Sequence, residues 1–292
     1  MSFKDLKLSK PLLRAVAEAG YDNPTLVQEK TIPLILDKKD VIVSAQTGTG
    51  KTAAFALPIL QSLLDKQDAP KKGKTIKALI VSPTRELAIQ IEDNFKTYCK
   101  HTNLRTTVVF GGASLEPQKD TLKKGVDILI ATPGRLLDLH KQDLVNLDYV
   151  ETLVLDEADL MLDMGFIDDV EWIMEQTPEN RQIALFSATM PKQIQKITKR
   201  YLKDPLNIAI KAKTATAESI SQRYWLVSNL HKLDALTRIL EVEPFDAVLL
   251  FVRTKIATTE LAERLAARGY AAEALNGDMP QKNREQMVAR LK

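Results

Sequence analysis

Six short apolar runs, separated by helical patterns, limit what this chain can become. They are DVIVSA (40–45), KALIVSP (77–83), TTVVFGG (106–112), DILIAT (127–132), ETLVLDE (151–157) and QIALFSAT (182–189). Each is rich in β-branched residues and shows little alternation, the pattern of strands buried on both faces. Helical stretches at 53–64, 86–100 and 167–176 lie between them. Alternating strand and helix predicts an α/β fold with a doubly wound parallel sheet. Periodicity stops near residue 207, so 1–207 reads as one domain and the small, polar stretch 208–222 as a linker. A second series follows in 223–292. Strands are expected at 223–228, 247–252 and 272–275, and helices at 231–241, 254–268 and from 280 onward. Three strand–helix units are few for this architecture, so the second domain reads as incomplete.

Composition narrows the function. Forty-one Lys and Arg against 38 Asp and Glu leave a net charge of +3, too weak to argue for nucleic acid by itself. Two lysine-rich stretches, 66–77 and 192–203, read as a solvated loop and a solvated helix face. Cys99 is the only cysteine, which excludes an internal disulfide and fits a reducing, cytoplasmic setting. The N-terminus has no apolar signal core. The longest apolar run is far below the ~20 residues that span a membrane.

The segment SAQTGTGKT (44–52) raises the question of chemistry. It ends like a phosphate-binding loop, but Ala45 stands where that pattern usually has glycine. Context supports the loop, since a buried strand precedes it and a helix apolar nearly all round follows. Gly48 and Gly50 let backbone N–H groups turn onto phosphate oxygens. Lys51 supplies a charge for the outer phosphates, and Thr52 a hydroxyl for Mg²⁺. Ala45 is small enough to serve if its φ is negative. Such a loop needs an acid at the end of another buried strand. Asp156, after LVL (153–155), is placed for the metal, and Glu157 beside it can orient or deprotonate an attacking water. Lys51 is expected to be accessible.

With these motifs the chain resembles the DEAD-box ATP-dependent RNA helicases of the second helicase superfamily. That family spells its phosphate loop with alanine first, as Ala45, Gln46, Thr47, Gly48, Thr49, Gly50, Lys51 and Thr52 do here. GYDNPTLVQ (20–28) is similar to its Q motif, and PTREL (83–87), GG (111–112) and TPGR (132–135) to its RNA-contacting motifs. DEAD (156–159), SAT (187–189), LLFVRT (249–254) and NGDMPQKNR (276–284) follow in family order. Phrases such as SQRYWLV and LNGDMPQ lean towards the bacterial cold-shock DeaD-like branch.

The resemblance implies RecA-like domains, ATP and Mg²⁺ as cofactors, and RNA bound without regard to sequence. It assigns Gln28 to the adenine edge, with Phe3 or Tyr21 packing on the ring. It gives the RNA backbone to Pro83, Thr84, Arg85, Gly112, Thr132, Pro133, Gly134 and Arg135. Arg253, Gly277, Gln281 and Arg284 carry the same role in the second domain. Asp159, Ser187 and Thr189 are implied to link the metal site to RNA. The family also has a stretch reading roughly HRIGRTGR, whose arginines act on the γ-phosphate, and this sequence contains none. AARGY (266–270) instead reads as a helix end capped by Gly269. The expectation is therefore a C-terminally truncated RNA helicase, weak or inactive alone. A non-catalytic ATP- and RNA-binding module is the alternative, and a P-loop ATPase acting on DNA or protein is disfavoured by the DEAD spelling.

Overall fold

The structure, a computed structural model, describes residues 1–66, 75–210, 220–228 and 231–291. Residues 67–74 of the lysine-rich stretch 66–77 and most of the expected linker lie outside the described residues. The chain divides into two compact units, Met1–Ala215 and Thr216–Lys292.

The first unit is built on seven parallel strands. These are β1 (Val41–Ser44), β2 (Ala78–Val81), β3 (Thr106–Val109), β4 (Ile128–Ala131), β5 (Thr152–Leu155), β6 (Gln182–Ser187) and β7 (Leu206–Ala209). Their order across the sheet is β3-β4-β2-β5-β6-β1-β7. All six expected strands form. The seventh pairs with β1 at the edge of the sheet, where the sequence shows only a loss of periodicity. Of its four residues only Ile208 is buried. Four residues, one of them polar, are too short a signal to separate an edge strand from a linker.

Helices cover both faces, as a parallel sheet requires. On one face lie α1 (Lys10–Glu18), α2 (Leu26–Leu36), α3 (Lys51–Leu64) and α4 (Arg85–Tyr98). They pack against Val41, Val43, Ile80, Ile130, Val154 and Phe186. The alternate residues Ile42, Leu79, Val81, Leu129, Leu153 and Leu185 face the other layer. That layer holds α5 (Glu116–Lys123), α6 (Pro133–Lys141), α7 (Ala158–Asp163), α8 (Ile167–Gln176) and α9 (Lys192–Tyr201). The two-sided burial explains why the strands read as continuous apolar runs. Among the described residues no helix is long and apolar enough to cross a membrane.

The register sets the functional edge. Val81 is level with Ala131 and Leu155, Val109 with Ala131, and Ser44 with Ser187. The loops after β2, β3, β4 and β5 therefore leave the sheet at one level, and those after β1 and β6 leave two residues further along the same carboxyl edge.

The second unit contains α10 (Lys232–Val242), α11 (Lys255–Ala266) and α12 (Gln281–Leu291). All three expected helices are present. Gly269 follows α11 at φ +86°, and the N–H groups of Gly269 and Tyr270 bond back to Ala266 and Leu265. The three expected strands do not form: 223–228, 247–252 and 272–275 carry no strand pairing among the described residues. A parallel strand is stabilised by neighbours and by layers over both its faces. Here Leu226 and Phe251 are more than nine-tenths exposed, so neither layer is in place.

Candidate nucleotide and RNA site

The loop between β1 and α3 wraps the start of a buried helix. Gly48 and Gly50 take φ of +83° and +90°, a region that favours glycine, and Ala45 keeps out of it. Gly50 also has no room for a side chain, because a Cβ there would lie 2.5 Å from Gln28 Nε2. The reason is a strut. Gln28 Oε1 accepts from the Thr25 N–H at 2.9 Å, while its Nε2 donates to the Gly50 carbonyl at 3.2 Å. Gln28, at the start of α2, thus holds both its own helix cap and the end of the phosphate-type loop. Thr49 Oγ1 donates to the Gln46 carbonyl at 2.8 Å and tightens the turn.

Lys51 overturns one expectation. It is buried, and its ammonium is 2.7 Å from Glu157 Oε1. The physical reason is local. An ammonium at this depth needs an anion, and the nearest carboxylate serves in the bare protein. Thr47 Oγ1 lies 3.5 Å from the same oxygen. Glu157 holds φ +54°, a left-handed conformation that costs a side-chain-bearing residue roughly 1–2 kcal/mol. The strained backbone and the ion pair together put Glu157 over the loop.

Asp156 ends β5, and its N–H bonds to the Val81 carbonyl at 2.9 Å. Burial pushes its carboxyl up to about 7; Lys51 opposes that rise and Glu157 adds to it. Its buried Oδ1 has no hydrogen-bond partner. Among the described residues, no three His, Cys, Asp or Glu side chains gather as a metal site. A cation here would depend on Asp156, the Thr52 hydroxyl and oxygens brought by a ligand.

Asp159 is joined to the end of β6. Its Oδ2 accepts from both the N–H and the hydroxyl of Thr189, each at 2.8 Å. Its own N–H donates to Ser187 Oγ at 3.2 Å, and Ser187 Oγ donates to the Thr189 carbonyl at 2.6 Å. Partial burial raises the Asp159 carboxyl, but the bonds from Thr189 and Ser187 outweigh that and hold it below the usual range.

The remaining motifs meet at the other end of the edge. Thr84 caps α4 and accepts from the Leu87 N–H at 3.3 Å. The Arg85 guanidinium lies directly on Gly112, at φ +74°, where any Cβ would collide with it. Arg135, in the first turn of α6 after Thr132, Pro133 and Gly134, donates to the Ala113 carbonyl at 3.1 Å. Two arginines from distant motifs thus close on loop 111–113. Ala113 is absent from the sequence-based set, and its only signal was its place beside the GG pair.

Of the two candidate ring-stacking residues, Tyr21 is exposed and lies 6.2 Å from the Tyr98 ring. Phe3 is buried in the core. Arg253, Gly277, Gln281 and Arg284 belong to the second unit. Arg253 is exposed, Gly277 sits beside the Lys255 side chain, and Gln281 starts α12.

A doubly wound parallel sheet with a glycine-rich loop after β1 and acids after β5, one strand removed from it, defines a RecA-like fold. Residues 25–197 match the family described as DEAD/DEAH box helicase, and the chain belongs to that family. It is 48% identical over its whole length to an ATP-dependent RNA helicase DeaD of Mycobacterium tuberculosis, covering 50% of that protein. The figures for the DeaD helicase of Escherichia coli K12 are 47% and 46%. For the ATP-dependent RNA helicase CshA of Limosilactobacillus reuteri they are 44% and 58%. The chain thus spans about half the length of the curated relatives it matches. A solved DEAD box protein from the hyperthermophile Methanococcus jannaschii superposes with a TM-score of 0.67 at 38% identity. That match covers all of this chain and 77% of the other.

Proposed function

We propose that this chain carries the nucleotide site and the first RNA grip of an ATP-dependent RNA helicase. One observation carries the reading: Lys51, Glu157 and Asp156 converge over a loop whose Gly50 has no space for a side chain. In this reading Lys51 exchanges Glu157 for the outer phosphates of ATP. Glu157, released, orients or deprotonates the attacking water. Asp156 and Thr52 fit Mg²⁺, which keeps several waters and is typically shared with substrate phosphates. The orphaned Oδ1 of Asp156 supports that assignment. Such an ion neutralises charge on the phosphates. Gln28 is assigned to the adenine edge, which requires it to give up one of its two present bonds.

RNA is assigned to the edge around Arg85, Gly112, Thr132 and Arg135. Main chain and guanidinium groups there suit phosphate rather than bases, so binding ignores sequence. Asp159, Ser187 and Thr189 form one hydrogen-bonded unit, which fits a link between the two sites. Because the sequence contains no HRIGR-like stretch, the 292 residues alone are expected to hydrolyse ATP slowly and not to separate duplexes. The test is calorimetric ATP and GTP binding, with steady-state ATPase with and without RNA. ATP should bind in preference to GTP, and Lys51→Ala should abolish binding at accessible concentrations. Equal binding of both nucleotides would remove Gln28 from its role, and an unaffected Lys51→Ala would remove the site.

A further inference from the structure

Some lysines of the first unit have an acid partner. Lys96 pairs with Glu92, Lys100 with Glu18, Lys119 with Glu116 and Lys123 with Asp120. Helix α9 gathers several lysines that have none. Its sequence, KQIQKITKRY, contains no Asp or Glu. Lys192, Lys196 and Lys199 recur at helical spacing, and Lys203 continues the row just past the helix. All four are exposed, and none of their ammonium groups has a carboxylate partner among the described residues. Arg200 on the same helix does have partners, in Glu171 and Glu175, so acids are within reach of one flank only.

The row is rigid. Ile194, Ile197 and Thr198 are buried beneath it. From Lys192 to Lys199 the helix advances about 10 Å, which sets three ammonium groups along a line. Like charges held this close repel. The row also begins near the site: Lys192 follows Thr189 by three residues, at the edge where the Ser187–Asp159 unit sits. From there α9 runs back towards the amino edge, where the Lys203 N–H bonds to Asp40 just before β1.

We propose that this lysine row is a second RNA-backbone contact, engaging phosphates of the strand or duplex beyond the grip at Arg85 and Arg135. Ammonium groups on long, mobile side chains act as point charges, which suits a run of phosphates without base readout. That the polyanion is RNA rests on the functional reading above; the row's readiness for a polyanion does not.

The test is RNA binding by the 292-residue chain as a function of salt. Each phosphate contact contributes roughly 0.7 to the slope of log affinity against log salt for a single strand, so Lys→Gln at 192, 196, 199 and 203 should make it shallower by about 2 to 3. Lys199→Gln alone should remove about 0.7, and it guards against a fold defect in the fourfold variant. A matched control, Lys→Gln at 96, 100, 119 and 123, removes the same charge from paired lysines and should leave the slope nearly unchanged. An equal loss in the control would overturn the row in favour of overall charge. An unchanged slope in the fourfold variant, with binding weakened by Arg135→Ala, would overturn the row alone. No RNA binding by the parent chain would overturn both the row and the grip.

Discussion

The two units were equally legible as helices and unequally legible as sheets. In the first, six apolar runs become six strands of one sheet, with helices packed on both of its faces. In the second, three similar runs stay unpaired, and of the described residues there only Leu265 is a buried hydrophobic. Its helices surround an open cavity of about 860 Å³, lined by Leu240, Phe245, Leu261, Leu265 and Leu291 among others. A helix satisfies its backbone from within, so its periodicity is enough to form it. A strand completes its hydrogen bonds through other segments, so an apolar run is only half of the information.

The largest effect should come from the cores. Phe186→Ala removes a fully buried ring that meets Phe55 edge-on at 5.1 Å, and should cost about 3–5 kcal/mol in denaturant unfolding followed by circular dichroism. Phe251→Ala, at an exposed ring, should stay within about 0.5 kcal/mol. Comparable losses would mean that the second unit has a core after all.

Smaller but still large is Gly50→Ala. A side chain there is strained by φ +90° and collides with Gln28. Loss of about 1–3 kcal/mol is expected, in the range for a misplaced backbone conformation. Gln28→Ala in the same background should recover part of it, because it clears the collision. No recovery would show that the strut does not set the loop.

A pH dependence sharpens the site further. The Asp156 carboxyl is raised to about 7 by burial, from an ordinary value of 3.8. Between those values the folded protein holds a proton that the unfolded chain has released, so the contribution to stability falls as pH rises through 7. In metal-free buffer, Asp156→Asn should therefore raise the melting temperature more at pH 8 than at pH 5. A gain that is equal at both pH values would contradict the assigned burial effect. The smallest effect is expected for Thr189→Ala, which removes one of the two bonds Thr189 donates to Asp159; about 1 kcal/mol or less is anticipated in thermal unfolding.

The turn between β1 and α3 was legible because its demands are local: two glycines, a lysine and a threonine between a strand and a helix. The placement of Asp156 was legible from the apolar strand before it. Contacts across the fold were not. Lys51 was expected in solvent, and nothing in the order of residues revealed that Glu157, 106 positions on, would hold it. Gln28 was read as a base-recognising residue, and its strut to the Gly50 carbonyl spans 22 positions. The closure of Arg85 and Arg135 on loop 111–113 follows from the common level of β2, β3 and β4, which register fixes and pattern does not.

The central claim is that the first unit alone holds the nucleotide site. Its most direct test is calorimetric titration of Mg²⁺–ADP into residues 1–215 and into the 292-residue chain. Equal affinity in the two, lost in both on Lys51→Ala, is the predicted result. Binding by the longer chain with none by residues 1–215, although that piece unfolds cooperatively, would contradict it.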